Sequence, residues 1–202
     1  MARRKTRGRG AYGLVAVRYI HNRSQKTGRH VTGDLKRLLY YNVYGSKQNN
    51  PEQIPRGKMY DQNGKRVGYK AYKDWALERS KEQAYTYRAI VSPKGHLLND
   101  EDFATAVAAA SLTTEIAAEF RLIVHRDTPH AHAHLVFQSD RTIRKAELEE
   151  WKATLRRELI SLEQLRAKEK GVALPEVDKS DDDTDPTTPK RSRRRRRGKR
   201  KD

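Results

Sequence analysis

The stretch Arg121–Gln138, RLIVHRDTPHAHAHLVFQ, predicts two β-strands joined by a tight loop. It also holds four of the chain's seven histidines, all within residues 125–134. Because successive side chains on a strand point to opposite faces, His130, His132 and His134 are expected on one face of the second strand. The two strands are expected to pair as an antiparallel hairpin.

A row of imidazoles on one strand face is typical of a metal site, since neutral imidazole is a common ligand of divalent cations. His132 and His134 are the natural pair of ligands, and His125, across the turn from His132, is the best third. His130 lies at the mouth of the strand, where we expect it to support a ligand or to contact substrate. Asp127 is expected to accept a hydrogen bond from the second ring nitrogen of a ligand, or from a nucleophile. The alternative is a histidine strip that binds no metal.

The patterns on either side predict how this hairpin is built into a fold. Residues 45–67 are rich in Gly, Asn, Pro and Lys, and predict a long loop with a turn at residues 61–64. The order of elements predicts an α/β (α+β) sandwich, with a central, largely antiparallel sheet flanked by helices. The other predicted strands are 12–19 and 85–91, and the predicted helices are 31–41, 71–81, about 99–120 and 145–170, with stops at Gly45 and Gly171.

The net charge of +18 is concentrated at the two ends of the chain. Residues 1–10 carry +5 and residues 190–202 carry +9, so the predicted folded domain, residues 11–172, is far less basic. We expect residues 1–10 to be a disordered basic arm, and residues 173–202 a disordered tail that is first acidic and then rich in Arg and Lys. Basic arms favour nucleic acid as the partner, and the expected DNA-binding residues are Arg3, Arg4, Arg7, Arg9, Arg193, Arg194 and Arg195.

The rest of the composition excludes several classes of protein. The chain has no cysteine, which excludes disulfide scaffolds and thiolate metal sites. It has no apolar run of eighteen residues, and no apolar segment follows its basic N-terminus. We therefore expect a cytoplasmic protein without a membrane span or signal peptide.

The tyrosines all precede the histidine cluster. All ten lie in the segment from Tyr12 to Tyr87. Tyr40 and Tyr41, at the end of a predicted helix, have the best case for a nucleophile, and the alternative is ordinary packing of amphipathic rings.

The chain resembles a known family over about residues 11–165. His125-x-Asp127 followed by His132-x-His134 resembles the three-histidine motif of conjugative relaxases, which belong to the HUH endonuclease superfamily. Residues 39–45, LYYNVYG, resemble the segment around the relaxase nucleophile in the P-type mobilisation group. Residues 87–93, YRAIVSP, resemble the strand and turn that precede the long helix in that group.

The resemblance implies metal-dependent, site- and strand-specific DNA nicking and rejoining for conjugative transfer or mobilisation. A tyrosine attacks a phosphodiester and leaves a covalent 5′-phosphotyrosine. In relaxases this tyrosine precedes the histidines, whereas rolling-circle replication initiators generally place it after them. Aligning Gly45 with the glycine that follows the family's nucleophile segment assigns the nucleophile to Tyr40, with Tyr41 as the runner-up.

The resemblance also implies a divalent cation, Mg²⁺ or Mn²⁺, held by His125, His132 and His134. Imidazole ligands by themselves favour Mn²⁺, Zn²⁺, Ni²⁺ or Co²⁺ over Mg²⁺, so Mn²⁺ reconciles both arguments. The implied partners are single-stranded DNA at a transfer origin, accessory relaxosome proteins and a coupling protein. The alternatives are an accessory DNA-binding protein that does not nick, and a rolling-circle replication initiator or transposase of the same superfamily.

Overall fold

The computed structural model describes residues 14–46, 48–93 and 97–172. The expected arm at residues 1–10 and tail at residues 173–202 lie outside the described residues. The same is true of the arginines that were expected to bind DNA from those two segments.

The described residues form a six-stranded sheet and four helices. The strand order across the sheet is β1-β4-β6-β5-β2-β3, and every neighbouring pair is antiparallel. The predicted α+β sandwich with a central antiparallel sheet is therefore confirmed. The elements are β1 (Leu14–His21), α1 (Gly33–Tyr44), β2 (Gly57–Asp61), β3 (Arg66–Val67), α2 (Tyr69–Glu82), β4 (Tyr85–Ser92), α3 (Asp100–Thr114), β5 (Phe120–His125), β6 (His132–Ser139) and α4 (Lys145–Lys170).

The prediction of a continuous loop over residues 45–67 is wrong, because this segment contains β2 and β3. The predicted turn between them is present: the Asp61 carboxylate accepts hydrogen bonds from the backbone N–H groups of Asn63 and Lys65, and Gly64 has a φ of 73°. β2 gains most of its pairing from β5, whose residues follow their partners in β2 by 60 to 68 positions. A five-residue strand with no apolar period of its own is stabilised by that distant partner, which local composition does not reveal.

The end of α3 also differs from the prediction. The helix begins at the expected place, where the Asn99 side chain accepts from the Asp102 N–H and the Asp102 carboxylate accepts from the Asn99 N–H. It ends at Thr114 rather than near Phe120, because Glu115 and Ala117 both adopt positive φ angles. The chain therefore turns and enters β5 directly.

The sheet separates two apolar layers. One face packs against α3 and α4 around Trp151 and Phe137, and the other packs against α1 and α2 around Leu39, Tyr72 and Ile123. Helices cover the two faces because each offers one apolar stripe to the sheet. The odd-numbered residues of β5 and the even-numbered residues of β6 face α1 and α2, which is the face that carries the predicted metal ligands.

Gly57 allows β2 to approach β5 beside these ligands. It pairs with His125, and an ideal Cβ at position 57 would lie 1.8 Å from the Val124 carbonyl oxygen. Because that atom belongs to the backbone of a central strand, no side-chain rotation relieves the overlap. The sequence requires glycine here for packing and not for its φ angle.

Replacing Gly57 by Ala should therefore lower the free energy of unfolding by about 2 kcal/mol or more, since β2 must move away from β5. Gly33→Ala is the matched control, because no atom lies within 4 Å of its ideal Cβ at the start of α1. Urea unfolding of both variants measures the difference. Equal stability of the two variants would contradict the close approach of β2.

Candidate metal centre

Three histidines converge where β5 ends and β6 begins. His125 pairs with His132 across the hairpin, and His134 lies two residues further along β6 on the same face. The ring centroids are 4.7 Å apart for His125 and His134, 5.1 Å for His125 and His132, and 5.3 Å for His132 and His134. The structure thus brings together all three residues that the sequence predicted as ligands. We call them the histidine triad.

The environment of His125 leaves one ring nitrogen available. Its side chain is fully buried, and its Nε2 lies 2.7 Å from the backbone carbonyl oxygen of Asn42 in α1. A carbonyl can only accept a hydrogen bond, so Nε2 carries the proton and Nδ1 carries the lone pair. Nδ1 is buried and has no hydrogen-bond partner within the described chain. An orphaned buried acceptor is costly unless a cation or a donor uses it.

His132 has the complementary arrangement. Its Nδ1 lies 3.2 Å from the backbone carbonyl oxygen of His130, which also accepts from the Thr128 hydroxyl at 2.7 Å. Nδ1 therefore donates to the carbonyl, and Nε2 is left with the lone pair. Metal-bound histidines commonly donate their second ring N–H to a carbonyl oxygen in this way.

Burial keeps two of the rings neutral. Desolvation, followed by the positive charge of Arg56, lowers the pKa of His125 to about 4. Desolvation, followed by the neighbouring rings of His125 and His132, lowers the pKa of His134 to about 3. Both rings are neutral at pH 7, which is the state that metal ligation requires.

The spacing of the ring nitrogens fits one ion. One ligand nitrogen from each of the three rings lies within 4.8 Å of the other two. Three nitrogens bound to one ion at about 2.1 Å lie about 3.4 to 3.6 Å apart, so the rings would close by about an ångström on binding. The histidine triad could hold a metal ion.

The C-terminal end of α1 points at the triad. The last four carbonyls of a helix have no partner within it, and here the chain supplies each from a different place. Those of Tyr41, Asn42, Val43 and Tyr44 accept from the Gly45 N–H, His125 Nε2, the Arg56 N–H and Asn50 Nδ2, respectively. The negative end of the helix dipole therefore faces the candidate cation site, which favours a positive charge there.

Asp127 has a different partner from those that the sequence suggested. Its Oδ2 accepts from Arg56 Nε at 2.6 Å, and this guanidinium lowers the pKa of the Asp127 carboxyl. The second ring nitrogens of His125 and His132 are instead occupied by backbone carbonyls. His130 is exposed and contributes the carbonyl that fixes the His132 ring.

The two candidate nucleophiles differ in accessibility. Tyr40 packs against Tyr44, with ring centroids 4.9 Å apart, and its hydroxyl is buried without a hydrogen-bond partner among the described residues. Tyr41 is 48% exposed. Both directly precede Asn42 in α1, and the backbone carbonyl of Asn42 lies 2.7 Å from His125 Nε2.

Arg56 and Asn42 are the residues near the triad that sequence reasoning missed. Arg56 lies in the segment that was predicted as a loop, 71 residues from its partner Asp127, and no motif connects the two. Asn42 contacts His125 through its backbone carbonyl, so the type of its side chain does not indicate this contact. Only its position directly after the tyrosine pair hints at a role.

Comparison of the chain with protein-family models, with curated proteins and with solved structures found no match. Among the helices in the described residues, none combines the length and apolar character needed to cross a membrane.

Replacing His134 by Gln should weaken divalent cation binding by about tenfold or more, because one of three imidazole ligands is lost. Isothermal titration calorimetry with a series of divalent chlorides measures the affinity. His21→Gln is the matched control, since His21 lies on β1 with Gln25 as its partner and outside the triad. An unchanged affinity in His134→Gln would contradict a metal site at the triad.

The metal-free protein should lose stability as the pH falls from 7 to 5. Below about pH 6.5 the unfolded chain protonates His125 and His134, whereas the folded protein, with pKa values of about 4 and 3, does not. Each residue then lowers the free energy of unfolding by up to about 1.4 kcal/mol per pH unit. Urea unfolding with a chelator present measures this, and His134→Gln should reduce the slope. A flat profile over this range would refute buried, neutral rings at His125 and His134.

Proposed function

We propose that this protein is a metal-dependent, strand-specific DNA nickase and rejoining enzyme that serves conjugative transfer or mobilisation, as the resemblance to P-type relaxases implies. The observation that carries the proposal is the hydrogen bond from His125 to the carbonyl of Asn42. It joins a candidate metal site directly to the helical turn that bears two tyrosines. A metal site beside a tyrosine is the pairing that transesterification of a phosphodiester requires.

Tyr41 is the nucleophile that accessibility favours. Its side chain is open to solvent, whereas the hydroxyl of Tyr40 is enclosed and packed toward Tyr44. A phosphodiester in DNA must reach the attacking oxygen, so Tyr40 requires a movement of the helix end that Tyr41 does not. The alignment on Gly45 assigned the nucleophile to Tyr40, and that assignment stays a prediction. Phenylalanine variants of Tyr40 and Tyr41 distinguish the two candidates.

The proposed reaction exchanges one phosphate ester for another. The tyrosine oxygen forms a bond to phosphorus, the bond from phosphorus to the 3′ oxygen breaks, and the product is a 5′-phosphotyrosyl link with a free 3′-hydroxyl. The tyrosine gives up one proton and the leaving 3′ oxygen takes up one. Because an ester bond is conserved, attack by a 3′-hydroxyl on the phosphotyrosine reverses the reaction and rejoins the strand.

His125, His132 and His134 would hold the divalent cation, His125 through Nδ1 and His132 through Nε2. The cation would polarise the scissile phosphate and stabilise the charge that develops on its oxygens. We propose Mn²⁺ as the working ion with Mg²⁺ as the second choice, and all-imidazole ligation also fits Zn²⁺, Ni²⁺ or Co²⁺ in isolated protein.

The proposed substrate is single-stranded DNA at a transfer origin, contacted also by the basic ends of the chain. Accessory relaxosome proteins and a coupling protein are the proposed protein partners. Since the substrate is DNA of a mobile element within the cell, we propose a cytoplasmic location.

Incubation of the full chain with Mn²⁺ and single-stranded oligonucleotides that tile the transfer origin of the parent element should yield a covalent protein–DNA adduct, visible by denaturing electrophoresis. Tyr41→Phe should abolish the adduct because the attacking oxygen is lost, and Tyr40→Phe should retain it because its hydroxyl is enclosed. EDTA should also abolish it. Loss of the adduct in Tyr40→Phe alone would transfer the role to Tyr40.

DNA binding without an adduct at any tile or metal would overturn nicking and favour the accessory binding protein. An adduct together with loss of plasmid replication, rather than loss of transfer, on deletion of the protein would favour a replication initiator. These two outcomes separate the proposal from its alternatives.

A further inference from the structure

Arg56 stands beside the histidine triad, held from three sides. Its backbone N–H donates to the Val43 carbonyl at 2.9 Å, and its Nε donates to Asp127 Oδ2 at 2.6 Å. The side chain also lies next to Gly45, where an ideal Cβ would be 3.1 Å from Arg56 Nη1. The side chain is only 25% exposed, so its charge is fixed in place rather than mobile.

A fixed guanidinium at this position opposes the binding of a cation. Its charge reaches both His125 and His134, since it contributes to lowering the pKa of each ring. Asp127 offsets part of this repulsion through the ion pair. A positive charge next to a cation site is expected if one anion binds to the cation and to the arginine at the same time.

The free part of the guanidinium suits a phosphate. Asp127 engages Nε, and within the described residues neither Nη1 nor Nη2 has a hydrogen-bond partner. The two terminal nitrogens of arginine form a planar fork that matches two oxygens of one phosphate. Asp127 sets the plane of this fork by holding the third nitrogen.

We propose that Arg56 is a substrate-binding residue whose terminal nitrogens bind a phosphodiester of the DNA strand at the histidine triad, with Asp127 orienting the guanidinium. The inference rests on the proposed function for the identity of the anion, and it requires DNA binding but not nicking. A purely structural role, in which Arg56 only joins the end of α1 to the β5–β6 loop, makes opposite predictions for metal binding.

The test uses the full chain and a fluorescein-labelled 20-nucleotide oligothymidylate, with EDTA present so that no cleavage occurs. Arg56→Gln should weaken binding about tenfold and reduce the slope of log K against log salt by about 0.7, the loss of one single-strand phosphate contact. Arg56→Lys should recover part of the affinity, because it keeps the charge without the fork. Arg157→Gln, an exposed arginine on α4 across the sheet, controls for the loss of one charge.

A second titration without DNA distinguishes the two roles. With Mn²⁺ alone, Arg56→Gln should bind as tightly as wild type or several-fold more tightly, because a repelling charge is gone. Asp127→Asn should bind Mn²⁺ more weakly, because the charge that offsets Arg56 is lost. It should keep its affinity for DNA, because the amide oxygen can still accept from Arg56 Nε and hold the guanidinium in its plane. Circular dichroism confirms that each variant is folded.

Two results would overturn the inference. One is a DNA affinity and salt slope in Arg56→Gln that match Arg157→Gln. The other is a tenfold loss of Mn²⁺ affinity in Arg56→Gln, which identifies a structural clamp. If wild type forms no adduct with any origin while Arg56→Gln still loses DNA affinity selectively, nicking fails and the Arg56 inference stands.

Discussion

The hydrogen bond from His125 Nε2 to the Asn42 carbonyl is the interaction on which the rest of the site depends. At 2.7 Å and fully buried, it connects the end of a central strand to the last turn of α1. It satisfies a helix carbonyl that would otherwise lack a partner, and it fixes the proton on one nitrogen of the ring. The other nitrogen, Nδ1, keeps its lone pair and is buried without a hydrogen-bond partner among the described residues. One bond thus sets both the ligand atom and the distance between the triad and the tyrosine helix.

The packing around the site holds that bond in place. Gly57 lets β2 lie close beside β5, and the antiparallel register of β5 and β6 brings His132 opposite His125. The Asn42 side chain is itself buried, and its amide donates to the Tyr72 hydroxyl at 3.4 Å, which connects α1 to α2. A shift of register by one residue would turn the histidines to the opposite face of the sheet. The site is therefore specified by backbone geometry as much as by the histidines themselves.

The sequence predicts this arrangement unevenly. His125, His132 and His134 were predictable because strand alternation and a short loop leave little freedom in where they meet. β2 was not, since its pairing with β5 is a long-range contact and its own residues have no period. The hydrogen-bond acceptor for His125 could not be predicted either, because it is a backbone carbonyl, and every residue type has one. For Asp127 the sequence indicated that the carboxylate would accept a hydrogen bond, but not from which residue. Its partner is Arg56, which lies in the segment wrongly predicted as a continuous loop.

We infer that the histidine triad binds a divalent cation with His125 locked in one tautomer. A crystal structure of the full chain grown with Mn²⁺, with anomalous data that locate the ion, tests it most directly. We predict one Mn²⁺ bound to Nδ1 of His125 and to the rings of His132 and His134, with the bond from His125 Nε2 to the Asn42 carbonyl intact. An ion on Nε2 of His125 with that bond broken, or no ion at the triad at saturating Mn²⁺, would contradict the claim.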